Sequence, residues 1–127
     1  MALPEEVVHS ARVPRIGLYS QAVRVGNLVF TAGQAGIDPA TGQSAGPTFE
    51  AQARQALANL RAVLEDARSG LHRVVKVTCF IADAEAFPRL NELFTEFFPG
   101  SPPVRSTPVV ALPKRLLLSI EAIAGVE

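Results

Sequence analysis

The stretch Leu116-Leu117-Leu118-Ser119-Ile120-Glu121-Ala122-Ile123-Ala124 decides the fold, because it is an apolar run broken only by Ser119 and Glu121. Alternate side chains of a β-strand point to opposite faces of the sheet. One face would carry Leu116, Leu118, Ile120, Ala122 and Ala124, and the other Leu117, Ser119, Glu121 and Ile123. Since both sets are largely apolar, the sequence predicts a strand that is covered on both faces.

A second β-prone run precedes it, Pro103-Val104-Arg105-Ser106-Thr107-Pro108-Val109-Val110-Ala111-Leu112-Pro113. The turn at residues 113–115 is predicted to bring the two runs back toward each other. A guanidinium can bind both oxygens of a small carboxylate, and a nearby glutamate can hold or activate a water molecule. Arg105 and Glu121 are therefore candidates for one site. The alternative is that Arg105 is a strand-edge charge and Glu121 a partly solvated residue on a sheet face.

Upstream of these runs, the pattern predicts a hairpin and a turn. Residues 20–25 and 28–33 are β-prone and flank Gly26-Asn27, where glycine supplies the positive φ of a tight hairpin. The second strand is predicted to end at Gly33-Gln34, where glycine lets another group approach the backbone closely. Asp38-Pro39-Ala40-Thr41-Gly42 has the composition of a turn.

Two helices and one further strand are predicted between these regions. The first helix is expected to begin near Gly46-Pro47 and to stop at Ser69-Gly70. Residues 73–81 are rich in β-branched side chains and indicate a central strand. The second helix is expected to follow an N-cap at Asp83 and to end at Pro99-Gly100. The first helix should bury Phe49, Ala53, Leu57, Leu60, Leu64 and Ala67, with Gln52, Arg54, Gln55, Arg61, Glu65 and Asp66 mostly on its other side.

This order of elements indicates an α+β protein in which two helices cover one face of a single sheet. The other sheet face is largely apolar and has no helix to cover it. A chain with a mean hydropathy of +0.23 is expected to bury such a face against copies of itself. We therefore predict a closed homo-oligomer, with Glu121 on the face that meets the subunit boundary.

Composition narrows the function classes. The 127 residues suit a single domain spanning 1–127. A net charge of +0 gives no field that would collect nucleic acid or an anionic membrane, so neither partner is expected. The single cysteine, Cys79, favours a reducing compartment, and the N-terminus lacks the pattern of a signal peptide, so the cytoplasm is the expected location. Cys79 reads as a buried small hydrophobe rather than a nucleophile.

Several motifs, in order along nearly the whole chain, resemble the Rid family, the RidA/YjgF reactive intermediate deaminases, which are also called the liver perchloric-acid-soluble protein family. The resemblance rests on a set of short segments, each weak alone and specific together. These are residues 17–23, 26–34 and 52–60, Asn91 with Phe97-Phe98-Pro99, Pro103-Val104-Arg105-Ser106, and Ile120-Glu121-Ala122.

The resemblance implies a chorismate-mutase-like fold, assembled as a homotrimer with clefts between subunits. It also implies hydrolysis of 2-imino acids, such as 2-iminopropanoate or 2-iminobutanoate, to 2-keto acids and ammonia without a metal or other cofactor. Arg105 would bind the substrate carboxylate, the backbone at Thr107 would hydrogen-bond near the imine, and Glu121 would orient or deprotonate water. Arg105 and Glu121 are the implied catalytic residues. The implied substrate-binding positions are Tyr19, Ala32, Gly33, Asn91, Arg105 and Thr107.

Three positions depart from the pattern of that family. Ala32 replaces a serine that is common before Gly33-Gln34, so one hydroxyl is missing. Thr107 replaces a common cysteine, which matters little where only the backbone is used. Pro108 stands where a residue with an N–H is usual, and proline is expected to alter the strand beside the cleft.

Two other functions stay open from the sequence. One is a small-molecule-binding or chaperone-like trimer that uses the same clefts to bind keto acids without turnover. The retained pair of Arg105 and Glu121 favours the enzyme, because binding of an anion alone has no obvious use for a carboxylate. The other is the ribonuclease activity attached to some relatives, which the neutral charge and the absence of tryptophan disfavour.

Overall fold

The computed structural model describes residues 5–15 and 17–127, and within them seven strands form one mixed sheet. The two long helices pack on one face of this sheet. Met1 to Pro4, on which the expectation of no signal peptide partly rests, lie outside the described residues. The elements are β1 (Glu5–Val8), β2 (Ala22–Val25), β3 (Leu28–Thr31), β4 (Gln34–Ala35), α1 (Phe49–Asp66), β5 (Val74–Ile81), α2 (Phe87–Phe97), β6 (Val104–Ser106) and β7 (Leu118–Gly125).

The strand order is β1-β2-β3-β7-β5-β6, with β4 also paired to β7. The β5–β6 pair is parallel, and the other pairs are antiparallel. This arrangement confirms the predicted α+β class. It also corrects one expectation, because the turn at residues 113–115 does not make β6 and β7 neighbours. The longer and more apolar β5 lies between them and pairs with both.

The alternation predicted for β7 is confirmed. Leu118, Ile120 and Ala124 are fully buried against the helices, whereas Ser119, Glu121 and Ile123 point to the other face. We call this second face the open face. Phe30 pairs with Ile123 and with Val23 across neighbouring strands and is 42% exposed, so the open face is apolar and uncovered in a single chain.

Helix α1 begins at Phe49, two residues after Pro47, because the Thr48 side chain accepts a hydrogen bond from the Ala51 N–H and so caps the helix. It ends at Asp66, with Arg68 rather than Ser69-Gly70 in the left-handed region at φ 62°. Of the predicted buried stripe, Ala53, Leu57, Leu60, Leu64 and Ala67 are buried, and Phe49 packs at its edge.

Gln52 is not on the solvent side of α1, where the polar pattern placed it. Its side chain is buried, donates to the Gly46 carbonyl at 2.9 Å and accepts from the Leu117 N–H at 2.9 Å. A Cβ at Gly36 would lie 2.4 Å from the Gln52 carbonyl, so only glycine allows this close approach. The Gln52 side chain therefore ties α1 to the end of the loop that precedes it and to the segment that precedes β7.

The predicted hairpin and the predicted end of the second helix are confirmed, whereas its predicted N-cap at Asp83 is not, because α2 begins at Phe87 with Ala86 before it. Gly26, with φ at 61°, makes the turn between β2 and β3, and Gly42, with φ at 72°, closes the later turn. The Asp83 side chain caps a short 3-10 turn that leads into α2, and α2 ends before Pro99-Gly100. None of the helices in the described part of the chain is both long and apolar enough to cross a bilayer.

Candidate functional site

Arg105 lies on the helix-covered side of the sheet. In the parallel β5–β6 pair, Arg105 is opposite Val77, whose side chain belongs to the core. Its guanidinium carbon lies 5.2 Å from the Phe87 ring centroid and 4.7 Å from that of Phe94. Its Nη2 donates to Asn91 Oδ1 at 2.5 Å. Helix α2 thus supplies an apolar support and one polar partner for the guanidinium.

A cleft of about 640 Å³ opens beside this arginine. Its wall combines aromatic and proline side chains with the guanidinium and the Asn91 amide. A guanidinium held by one amide oxygen still has further N–H groups that can bind a carboxylate. The cleft is lined by Asn91, Phe94, Thr95, Phe98, Pro99, Gly100, Pro102, Pro103 and Arg105. Arg105 and Asn91, two of the residues predicted for substrate binding, are therefore brought together in one chain.

Glu121 lies on the opposite face. It pairs with Thr78, whereas Arg105 pairs with the adjacent Val77, and neighbouring residues of a strand point to opposite faces. Glu121 is exposed on the open face. One chain therefore does not bring Arg105 and Glu121 together, and a shared site stays a prediction that needs two chains.

A β-bulge lies opposite Glu121. Phe30 of β3 pairs with Ile123 of β7, and Gln34 of β4 pairs with Ile120 of β7. The register along β7 therefore changes by one residue between β3 and β4. As a result, Ala32 and Gly33 together oppose Glu121, which is the geometry of a bulge. Bulges of this kind locally re-aim side chains beside functional sites. Ala32 and Gly33, which connect β3 to β4, therefore lie next to Glu121 of β7.

Ser119 is a residue of this region that the sequence reasoning did not single out. It shares the open face with Glu121, two residues away along β7. A Cβ at Gly33 would lie 2.5 Å from Ser119 Oγ, so the hydroxyl occupies the space over this glycine. The period of two along β7 was the signal that could have identified it.

Tyr19 and Thr107 flank these two regions. Tyr19 lies in the irregular segment before β2, is 36% exposed, and its carbonyl accepts from Arg15 Nη1 at 3.2 Å. Thr107 follows β6 directly and is partly buried. After it, the Pro108 carbonyl accepts from the Ile81 N–H at 3.0 Å. The regular β6 ladder ends at Ser106, as expected next to a proline that cannot donate.

Cys79 lies in β5 in the core and is fully buried. Burial raises the pKa of the Cys79 thiol to about 12, and the nearby positive charge of Arg105 offsets only part of that rise. The thiol is therefore protonated at neutral pH, which fits the predicted structural role. Within residues 5–15 and 17–127, no cluster of three or more His, Cys, Asp or Glu side chains could hold a metal ion.

Comparison with known sequences gives a family and named relatives. The family model described as Endoribonuclease L-PSP matches residues 9–126. A 2-iminobutanoate/2-iminopropanoate deaminase from Dermatophagoides farinae is 39% identical over 126 residues, which cover 98% of this chain and 98% of that protein. The deaminase of the same name from Mus musculus is 40% identical over 121 residues, which cover 94% of this chain and 90% of that protein.

Solved structures agree with the fold. RidA from the Antarctic bacterium Psychrobacter sp. superimposes with a TM-score of 0.91 at 37% identity, covering 95% of this chain and 99% of that chain. Escherichia coli TdcF with bound serine superimposes with a TM-score of 0.88 at 36% identity, covering 96% of this chain and 99% of that chain. These superpositions confirm the chorismate-mutase-like fold that was predicted.

Proposed function

We propose that this chain, which belongs to the endoribonuclease L-PSP family as its motifs predicted, hydrolyses reactive 2-imino acids to 2-keto acids and ammonia. The observation that carries the proposal is Arg105, supported by two aromatic rings and Asn91 at the edge of a cleft sized for a small molecule. Two relatives that match nearly the whole chain are named for this activity. The cytoplasm, where enzymes that form imines would supply the substrate, is the proposed setting.

The reaction needs little from the protein. The oxygen of a water molecule adds to C2 of the protonated imine, the electron pair of the C=N bond moves to nitrogen, and one water proton is taken up by Glu121, which gives a neutral carbinolamine. The carbinolamine nitrogen then receives that proton from Glu121, the C–N bond breaks to release ammonia, and the hydroxyl proton passes to the Glu121 carboxylate as the C=O bond forms. Glu121 finally gives up this proton to the released ammonia, which leaves as ammonium. Hydrolysis of an already electrophilic carbon gains mainly from positioning, so neither a metal nor an organic cofactor is required.

Each candidate residue has a place in this scheme. Arg105 binds the substrate carboxylate through paired N–H donors, and Asn91 fixes the guanidinium. The Thr107 backbone hydrogen-bonds near the imine. Glu121 orients and deprotonates the water. Tyr19, Ala32 and Gly33 line the cleft on the side of Glu121.

The separation of Arg105 and Glu121 on two faces supports a site shared between subunits. A second chain that covers the apolar open face would carry its own Arg105 toward the Glu121 of the first chain. We therefore propose a homotrimer with three clefts, each built from two chains. Closure of a ring would bury every open face, including Phe30, which is 42% exposed, and Ile123, which is partly exposed.

Cleavage of RNA is a second candidate, because the matching family model is described as an endoribonuclease. A net charge of +0 provides little attraction for a polyanion. Stacking platforms for bases normally combine aromatic side chains with a basic groove. We regard the imine as the substrate and treat degradation of RNA as an outcome to be measured beside it.

The test is the rate at which the purified protein accelerates loss of 2-iminopropanoate, generated in place by an amino-acid oxidase and followed by trapping with semicarbazide. Arg105→Ala should lower kcat/KM by at least about 100-fold, since a charge-assisted bidentate contact is lost. Arg61→Ala is the matched control, because Arg61 also contacts a ring of α2, that of Phe97, away from the proposed site.

Acceleration by wild type and by Arg61→Ala, with loss in Arg105→Ala, would support hydrolysis that depends on capture of the carboxylate. No acceleration by a folded, oligomeric wild-type protein would exclude the deaminase. If that protein still binds 2-oxobutanoate in a way that depends on Arg105, the function is binding. Degradation of RNA that persists in Arg105→Ala would favour the ribonuclease instead.

A further inference from the structure

The open face carries a hydroxyl beside the proposed water-binding carboxylate. Ser119 and Glu121 are alternate residues of β7, so their side chains leave the same face of the sheet about 7 Å apart along the strand. Ser119 is only partly exposed. Its Oγ lies where a Cβ of Gly33 would collide with it, at 2.5 Å. Because Gly33 has no side chain, the Ser119 hydroxyl occupies the space above it.

We infer that the Ser119 hydroxyl is the second hydrogen-bond partner of the attacking water and acts with Glu121 as a catalytic residue. This inference rests on the proposed function. A water molecule that donates one hydrogen bond to the Glu121 carboxylate and the other to Ser119 Oγ has both protons engaged. Its lone pair is then directed away from both acceptors and toward the imine carbon.

The geometry permits such a bridge. Two oxygens that share one water molecule lie about 4.5–5 Å apart when each hydrogen bond is about 2.8 Å long. The longer glutamate side chain can lean along the strand by the remaining distance, since its torsions are not fixed by core packing on the exposed face. In the hydrolysis, the water proton bound to Glu121 is transferred to that carboxylate. The other proton stays on the oxygen and remains hydrogen-bonded to Ser119.

Other hydroxyls near Glu121 are less well placed. Thr31 Oγ1 already accepts a hydrogen bond from the Ala122 N–H at 3.0 Å. Thr78 lies in β5 directly opposite Glu121, on the side of β7 away from the Ala32-Gly33 bulge. Ser119 alone among these three borders the space that Gly33 leaves open. Since Ala32 contributes no hydroxyl from the bulge, Ser119 supplies the one on this side of Glu121.

The test compares Ser119→Ala, Ser119→Thr and the control Ser101→Ala in the assay with 2-iminopropanoate. Ser101 is an exposed loop residue outside the proposed site. Loss of one hydrogen bond to the attacking water should lower kcat about 10-fold in Ser119→Ala and leave KM within about twofold. Ser119→Thr should recover most of kcat because it retains the hydroxyl. Binding of 2-oxobutanoate, measured by calorimetry, should be the same in wild type and Ser119→Ala.

Each result decides between the proposals. If Ser119→Ala keeps the wild-type kcat while Arg105→Ala is inactive, the role of Ser119 is wrong and the proposed function stands. If Ser119→Ala raises KM or weakens binding of 2-oxobutanoate at unchanged kcat, the hydroxyl contacts substrate instead of water, and the inference is again overturned. If folded wild type does not accelerate hydrolysis at all, the proposed function fails first and the role of Ser119 fails with it.

Discussion

The guanidinium carbon of Arg105 lies 4.7 Å from the centroid of the Phe94 ring, and this ring is itself part of the core. Phe94 is 6% exposed and packs against Phe98 with ring centroids 4.9 Å apart. The guanidinium of the arginine proposed to bind the substrate therefore packs on a buried aromatic ring. Support of this kind limits the orientations that the guanidinium can adopt before a carboxylate arrives.

Phe94→Leu should weaken substrate binding more than it lowers the rate of the chemical step. A cation–π contact contributes about 0.5–2 kcal/mol, so KM should rise about 2- to 30-fold while kcat stays within about twofold. Steady-state kinetics with 2-iminopropanoate would measure both constants. Phe97→Leu is the matched control, because Phe97 lies in the same helix and contacts Arg61 at 5.6 Å. Equal effects of the two substitutions would contradict a positioning role for Phe94.

The Cys79 thiol should be inert in the folded protein. With its pKa raised to about 12 by burial, only about one Cys79 thiol in 10⁴ is ionised at pH 8. A small thiol reagent must also reach the core before it can react. Ellman's reagent should therefore label Cys79 at pH 8 only in denaturant. Reaction within seconds in the native protein would mean that β5 opens or that the thiol is not buried, and Cys79→Ala serves as the blank.

The two faces of β7 could be predicted from sequence because a period of two is a local property of a strand. The positions of Arg105 and Glu121 relative to each other could not be predicted in the same way. Their faces depend on β5 lying between β6 and β7, and strand order is set by contacts between segments far apart in the chain. Arg105 pairs with Val77 of β5, and Glu121 pairs with the next residue, Thr78. The two charged side chains therefore lie on opposite faces of the sheet.

Polar residues of α1 illustrate a second limit. The amphipathic pattern correctly placed the apolar stripe but put Gln52 on the solvent side, and it did not identify Asn59 as buried. Asn59 donates to the carbonyls of Ala35 and Ile37 at 3.1 and 2.9 Å. Both amides satisfy carbonyl groups of a loop that packs on the helix. Their burial follows from the path of that loop, which a residue-by-residue pattern of polarity does not contain.

Phe30→Glu should dissociate the oligomer. Phe30 is 42% exposed in the centre of the open face, between Val23 and Ile123, and a carboxylate there would be buried unpaired once a second chain covered it. Light scattering after size exclusion should give the mass of a monomer for this variant. Ala58→Glu, on the exposed side of α1, should leave the mass of wild type. A monomeric wild-type protein would contradict the proposed assembly directly.

Mixing two inactive variants tests whether each site draws Arg105 from one chain and Glu121 from another. Arg105→Ala and Glu121→Gln are each expected to be inactive as pure proteins. In a closed ring assembled at random from equal amounts of both, about one cleft in four combines the intact Arg105 of one chain with the intact Glu121 of its neighbour. Co-refolded mixtures should therefore recover about a quarter of the wild-type activity, whereas the two proteins mixed without subunit exchange should recover none. A site built within one chain would give no recovery in either mixture, because no chain in them carries both residues.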